Sequence, residues 1–248
     1  MSAISGRGDV VGVDASGTWT VWPARGYRPI GLGVPEHDVG GPADINERGD
    51  VVVRDYYWHA GRLTKLAHPS GFPLVAVAVN DRGVVAGHRY VEDGYGQRAF
   101  VWKDGVFTDF PGLRGIPHGT AMDINNHGQV LLQVYDGQTG TQYSAVWANG
   151  RVVDIGGLGG TSTDARYIND SGVVVGTSSD ADGRQRPFVW RDGVMTQLAG
   201  TSGAVTGLNN RGDVPAGSAP SRSCGVAACD PVTPGQQGYT SGVNEAPA

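Results

Sequence analysis

Lysine is almost missing from this chain: two residues, Lys65 and Lys103, stand against seventeen arginines, and the net charge is −5. A nucleic-acid footprint needs a basic stripe, so no nucleic-acid partner is expected. Cysteine is nearly as scarce. Cys224 and Cys229 are too few for a disulfide framework, and their spacing fits no common zinc knuckle. They read as free thiols, or as one small local disulfide in an exported protein. No apolar run approaches membrane-spanning length, so no membrane partner is expected either. The start, "MSAISGRGDVVG", has no charged n-region and no apolar h-region. That points to a cytoplasmic protein, or to a secreted one if the native gene carries an upstream leader. No window of helical length shows apolar spacing of three and four. Nucleophile elbow, dinucleotide fingerprint and kinase signature are all missing.

What the chain has in excess is glycine, 41 residues without a collagen period. Much of it belongs to a repeated phrase. "ISGRGDVVG" from Ile4 returns as "INERGDVVV" from Ile45, "VNDRGVVAG" from Val79, "INNHGQVLL" from Ile124, "INDSGVVVG" from Ile168 and "LNNRGDVPAG" from Leu208. The steps between these heads are 41, 34, 45, 44 and 40 residues. A second phrase follows each of the first five heads: "TVWPARG", "YYWHAG", "AFVWKDG", "AVWANG" and "FVWRDG". A third follows soon after, as in "FTDFPGL" and "MTQLAG". These runs are short, β-branched and aromatic, and they end at Gly or Asn, which is strand and hairpin chemistry.

Each unit therefore reads as four antiparallel strands, a to d. The period matches a β-propeller blade, and the fold class is all-β with a single propeller. Residues 1–217 carry the repeats and 218–248 form a C-terminal tail. Six blades are expected, the last completed by the tail around Gly238–Val243; five blades plus a tail is the alternative. Closing the ring would hide its sheet edges.

Most repeated residues have structural explanations. Asn46, Asn80, Asn125, Asn169 and Asn209 end strand a, three residues before a glycine. Asn opens such a turn by bonding its own backbone, and Gly takes the positive φ. The tryptophans Trp22, Trp58, Trp102, Trp147 and Trp190 recur at one phase and read as inter-blade packing. Arg-Gly-Asp occurs at 7–9, 48–50 and 211–213. Its glycine is always the turn glycine, so turn chemistry accounts for the letters and an adhesion signal is not needed. "DADG" at 180–183 reads as a hairpin turn in preference to a calcium loop.

"AMDINNHGQV" at Ala121, "RAFVWKDG" at Arg98 and "DIGGLGGTSTDARYIND" at Asp154 resemble the HAF-repeat family of bacterial propeller-like proteins. The resemblance covers residues 3–217. The family's His-Ala-Phe phrase is not kept, being Arg98-Ala99-Phe100, Ser144-Ala145-Val146 and Arg186-Pro187-Phe188 here. Members are as a rule expected to be exported and share no common known activity. The resemblance thus implies a fold far more than a function.

Function is sought where the repeat breaks. The b–c and d–a loops of a propeller share one face, around the channel mouth, and loops on a rigid scaffold carry function. Glu36, His37, Asp38, His68, His88, Arg89, Tyr90, Glu92, Tyr95, Arg114, His118 and Tyr135 fall there. Asp123, Arg166 and Tyr167 lie on the strands facing the channel. His37, His118 and Asp123 are the candidate acid–base groups, and a buried carboxylate there would have a raised pKa. The others are candidate substrate contacts. Asp123 and Arg166 are placed to pair between neighbouring blades. The histidines show no fixed metal spacing, so no metal or other cofactor is expected. The expected partner is a small-molecule ligand, the assembly a monomer or homodimer. Two functions fit: a cofactor-independent cyclase, isomerase or lyase acting on a specialised metabolite, or an exported glycan- or protein-binding module.

Overall fold

The computed structural model describes residues 3–26, 28–35, 41–92, 96–198, 204–215 and 224–225. Every regular element among them is a strand. The first unit holds β1 (Ala3–Ile4), β2 (Val10–Val13), β3 (Trp19–Trp22) and β4 (Ile30–Gly31). The second holds β5 (Ala43–Ile45), β6 (Val51–Val53), β7 (Tyr56–His59) and β8 (Arg62–Lys65). The third holds β9 (Leu74–Val79), β10 (Val85–Tyr90), β11 (Gln97–Lys103) and β12 (Val106–Asp109). In the fourth are β13 (Thr120–Ile124), β14 (Val130–Asp136), β15 (Thr141–Ala148) and β16 (Arg151–Asp154). In the fifth are β17 (Gly159–Ile168), β18 (Val174–Asp180), β19 (Gln185–Arg191) and β20 (Val194–Gln197). Each unit is an antiparallel meander in chain order, and one parallel bridge, Gln142 to Ser162, joins the fourth sheet to the fifth. The protein is a β-propeller.

First strands of successive blades contact one another, which places them innermost. Five apolar clusters hold the stack, one at each interface between consecutive units. Val11, Trp19 and Val21 meet Ile45 and Val51 between blades one and two. Val52 and Leu66 meet Phe100 and Trp102 between two and three. Ala86 and Phe110 meet Leu132 and Trp147 between three and four, and Leu131 meets Phe188 and Trp190 between four and five. Val173 and Val175 meet Val205 and Val214 beyond blade five. The strand-c tryptophans of blades two to five thus pack against the preceding blade.

The sixth unit begins as the repeat demands. Thr206 N donates to Pro215 O at 3.1 Å and Asn209 N to Asp213 O at 3.2 Å. β21 (Asp213–Val214) then pairs with β22 (Cys224–Gly225). The strand laid beside β21 therefore comes from Cys224–Gly225, nearer than the expected Gly238–Val243, which lies outside the described residues.

The turn asparagines do more than cap their turns. Each carbonyl oxygen accepts two backbone N–H groups of its own turn, as Asn125 does from His127 and Gln129 at 3.0 Å each. The amides of the first four then reach the next blade. Asn46 Nδ2 donates to Asn80 O at 2.8 Å, Asn80 to Asn125 O at 3.0 Å, Asn125 to Asn169 O at 2.9 Å and Asn169 to Asn209 O at 3.1 Å. A second ladder runs beside it through the following residue. Glu47 N donates to Asp81 Oδ1, Asp81 N to Asn126 Oδ1 and Asn126 N to Asp170 Oδ1, all at 2.8 Å, and Asp170 N to Asn210 Oδ1 at 2.9 Å. From Asp81 onward acid and amide alternate. Asn126 Nδ2 sits between Asp81 Oδ2 at 2.6 Å and Asp170 Oδ2 at 3.1 Å. That amide keeps two carboxylates from facing each other.

Candidate functional site

Strand a carries a bulge in blades three, four and five. Ladder partners skip Val77 between Ala76 and Ala78, Met122 between Ala121 and Asp123, and Arg166 between Ala165 and Tyr167. A bulge inserts one residue and re-aims its side chain. In blades three and five the backbone beside it lies close over a glycine of strand b, whereas blade four places Leu132 there. A Cβ on Gly176 would stand 2.2 Å from Asp164 O, and one on Gly87 2.3 Å from Val75 O.

In blade five the bulge builds a polar cluster. Arg166 donates to Asp164 Oδ2 through Nη2 at 2.6 Å and Nε at 3.0 Å. Gln133 of blade four donates to Asp164 Oδ1 at 2.8 Å. Asp164 and Arg166, with Tyr167, Gly176, Thr177, Ala204 and Val205, border a cavity of about 270 Å³ between the fifth blade and the sixth unit. It offers a guanidinium, a carboxylate and two hydroxyls beside the apolar side chains of Ala204 and Val205. Arg166 and Tyr167 are thus brought to one cavity. Gln133, Asp164 and Thr177 were not singled out, because nothing in their letters distinguishes them from strand residues. A bulged strand opposite a Val-Val-Gly run was the signal that could have found Asp164.

Asp123 is not Arg166's partner. Its Oδ2 accepts Ile168 N of the next blade at 2.9 Å and its Oδ1 accepts Ile124 N at 2.8 Å. The bulge turns Arg166 back onto Asp164 and leaves the backbone amide of Ile168 facing Asp123. Asp44 does the same two blades earlier, accepting Val79 N at 2.9 Å. Burial pushes the Asp123 carboxyl up to about 7; the bond from Ile168 works against this, and the charge of Asp44 adds to it. Burial also raises Asp44.

The remaining loop candidates disperse into separate contacts. Arg89 and His68 share Asp109, at 2.6 Å from Arg89 Nη2 and 3.3 Å from His68 Nε2. One blade on, Arg114 reaches Asp154 at 2.6 Å and lies over the Tyr143 ring. Both loops therefore staple onto the last residue of the next blade's strand d. His88 is on the side of β10 facing blade four, its Nδ1 is buried without a partner, and burial lowers its pKa. A Cβ on Gly96 would stand 2.4 Å from His118 Nδ1, so that ring lies tight against Gly96. Tyr90 and Tyr135 are exposed, as is Glu92. Glu36, His37, Asp38 and Tyr95 lie outside the described residues. Among the described residues no three His, Cys, Asp or Glu side chains converge as metal ligands.

The Arg-Gly-Asp at 48–50 is bound into its turn. Asp50 is 1% exposed, accepts Asn46 Nδ2 at 2.9 Å and bonds the His59 ring. A buried carboxylate cannot present an adhesion signal. The 180–183 segment is likewise a hairpin turn, with Asp180 Oδ1 accepting Asp182 N at 3.0 Å and Arg184 N at 2.9 Å.

No protein-family description matches the chain, and no curated protein does. Solved structures do resemble it. TolB from Acinetobacter baumannii superposes with a TM-score of 0.53 at 12% identity, over 82% of this chain and 55% of that one. The chain thus spans little more than half the length of TolB. A gluconolactonase from Xanthomonas campestris gives 0.48 at 12% identity, over 87% and 82% of the two chains. The six-bladed fucose-recognising lectin of Aleuria aurantia gives 0.40 at 12% identity, over 80% and 76%. At this identity the likeness concerns the fold alone.

Proposed function

We propose that this propeller binds a small polar molecule in the cavity between the fifth blade and the sixth unit. The observation that carries this reading is Arg166, turned by a bulge into a cavity whose wall also holds Asp164, Tyr167 and Thr177. Small-molecule sites combine apolar lining with a few convergent polar groups. A guanidinium beside a carboxylate suits a ligand rich in hydroxyls or bearing a carboxylate. Sugars, sugar acids and hydroxy acids have that chemistry. Screening such compounds by thermal shift should give hits that stabilise the native chain and not Arg166→Ala or Thr177→Val. Hits that stabilise all three proteins equally, or no hit in the class, would overturn the reading.

A second reading, acid–base turnover without a redox cofactor, is favoured by one observation. Asp123 stands on the strands facing the channel with its carboxyl near neutrality. Groups of that pKa give and take protons efficiently at physiological pH. Turnover should then follow a pH profile with a limb near 7 that Asp123→Asn removes. We also place the chain among diverged HAF repeats, on the shared Ile-Asn-turn-Gly heads.

A further inference from the structure

We propose that Ser70, His68 and Asp109 form a serine nucleophile site for activated acyl esters, separate from the channel cavity. The three residues meet where the loop after β8 crosses onto blade three. Ser70 Oγ lies 2.7 Å from His68 Nδ1. On the other side of the ring, His68 Nε2 lies 3.3 Å from Asp109 Oδ1. The tautomer follows from a third contact. Ser70 backbone N–H donates to His68 Nδ1 at 3.1 Å, so Nδ1 carries the lone pair and Nε2 the proton aimed at Asp109. The Nδ1 lone pair is shared between that amide and the closer hydroxyl, and an imidazole base facing a hydroxyl with a carboxylate behind it is the arrangement that activates serine.

The surroundings hold this geometry in place. Arg89, 8% exposed, donates to Asp109 through Nη2 at 2.6 Å and Nε at 3.3 Å, which holds the carboxylate in place. The His68 ring packs edge-on to Phe107 with centroids 4.8 Å apart. Gly71 N closes the turn onto His68 O at 2.9 Å. Burial lowers the pKa of His68; Asp109 opposes this and Arg89 adds to it. The imidazole is therefore neutral at pH 7. Ser70 itself is exposed and open to a reagent.

The chemistry is acyl transfer. Ser70 Oγ adds to the ester carbonyl as its proton passes to His68 Nδ1. The adduct expels the alcohol, which takes that proton, and the acyl group stays on Ser70. Water, deprotonated by the same nitrogen, then releases the acid and restores the serine. Both nearby turn amides are already engaged, Ser70 N with the ring and Gly71 N with His68 O. Rate enhancement thus rests on the base, and the substrate class is esters with good leaving groups, such as aryl esters. Asp109 and Arg89 are positioning residues.

A purely structural role, His68 capping its turn, is separated by one substitution. His68→Asn keeps a turn-capping side chain and removes the base. The full chain is treated with a fluorophosphonate and with p-nitrophenyl acetate, and the modified residue is mapped by mass spectrometry. Modification should map to Ser70. Its rate should rise with pH, level off once His68 is neutral, and fall by about 100-fold or more in His68→Asn with the melting temperature kept. Label elsewhere, or an unchanged rate in His68→Asn, would overturn the proposal. Ser70→Ala, altered at an exposed position, gives the background.

Discussion

Asn125 serves two blades with one side chain. Its carbonyl holds its own turn, while its amide holds Asn169 O of the next blade and Gln129 Oε1. Replacing it with alanine strands two N–H donors and two acceptor oxygens in a site where the residue is 3% exposed. Asn125→Ala should cost about 2–4 kcal/mol in urea unfolding, from one cap and the unmade buried bonds. Asn209 is exposed, and its amide bonds Asp213 of its own turn. Asn209→Ala should cost about 1 kcal/mol or less. Asp123 carries a different signature. Its folded pKa, raised to about 7, lies above that of an unfolded aspartate. Its contribution is thus fully present below about pH 4 and is lost as pH rises through 7. Stability measured across that window should fall with pH in the native chain. In Asp123→Asn the slope should flatten, and an unchanged slope would refute the assignment.

At the scale of the element, the bulged inner strand decides what faces the channel. Gly176 makes the bulge of blade five possible. Gly176→Ala would drive a methyl group into Asp164 O and should cost about 1–3 kcal/mol. It should also abolish any ligand-induced thermal shift, since Gly176 borders the cavity. Gly137 has open space around its Cβ position. Gly137→Ala should change stability by less than about 0.5 kcal/mol. Strands, turns and the Trp phase could be read from the letters because each leaves a local, repeated trace. The bulges left only an indirect trace, the strand-b glycines Gly87 and Gly176 beside them, and blade four with Leu132 lacks even that. The ladders were half legible. Asn at the turn was foreseen, but its bond to the next blade depends on blade spacing, which no single repeat encodes. The loop candidates scattered for a related reason: sharing a propeller face does not put side chains in contact. His68 and Arg114 reach the next blade's outer strand instead of each other.

Across the whole molecule, cohesion is nearest-neighbour. Five clusters each join two consecutive units, so stability should behave as a sum of interfaces. Leu132 is fully buried at a middle interface, and Leu132→Ala should cost about 2–5 kcal/mol. That loss should appear in the main unfolding transition. Val214 sits at the last interface. Val214→Asp should strip amide-exchange protection from residues 204–215 and leave blades one to four protected. A uniform loss of protection throughout would show that the sixth unit is needed for the others to fold.

The asparagine ladder also has a direction. From Asn46 to Asn169 the amide of each turn asparagine donates to the unit that follows. Blades three to five thus each carry a plug on one edge and a socket on the other, and both are written within one repeat. An in-frame copy of a single unit, roughly 40 residues in propellers of this kind, would arrive with fittings for both neighbours. Tandem duplication could lengthen such a gene without inventing any new joint.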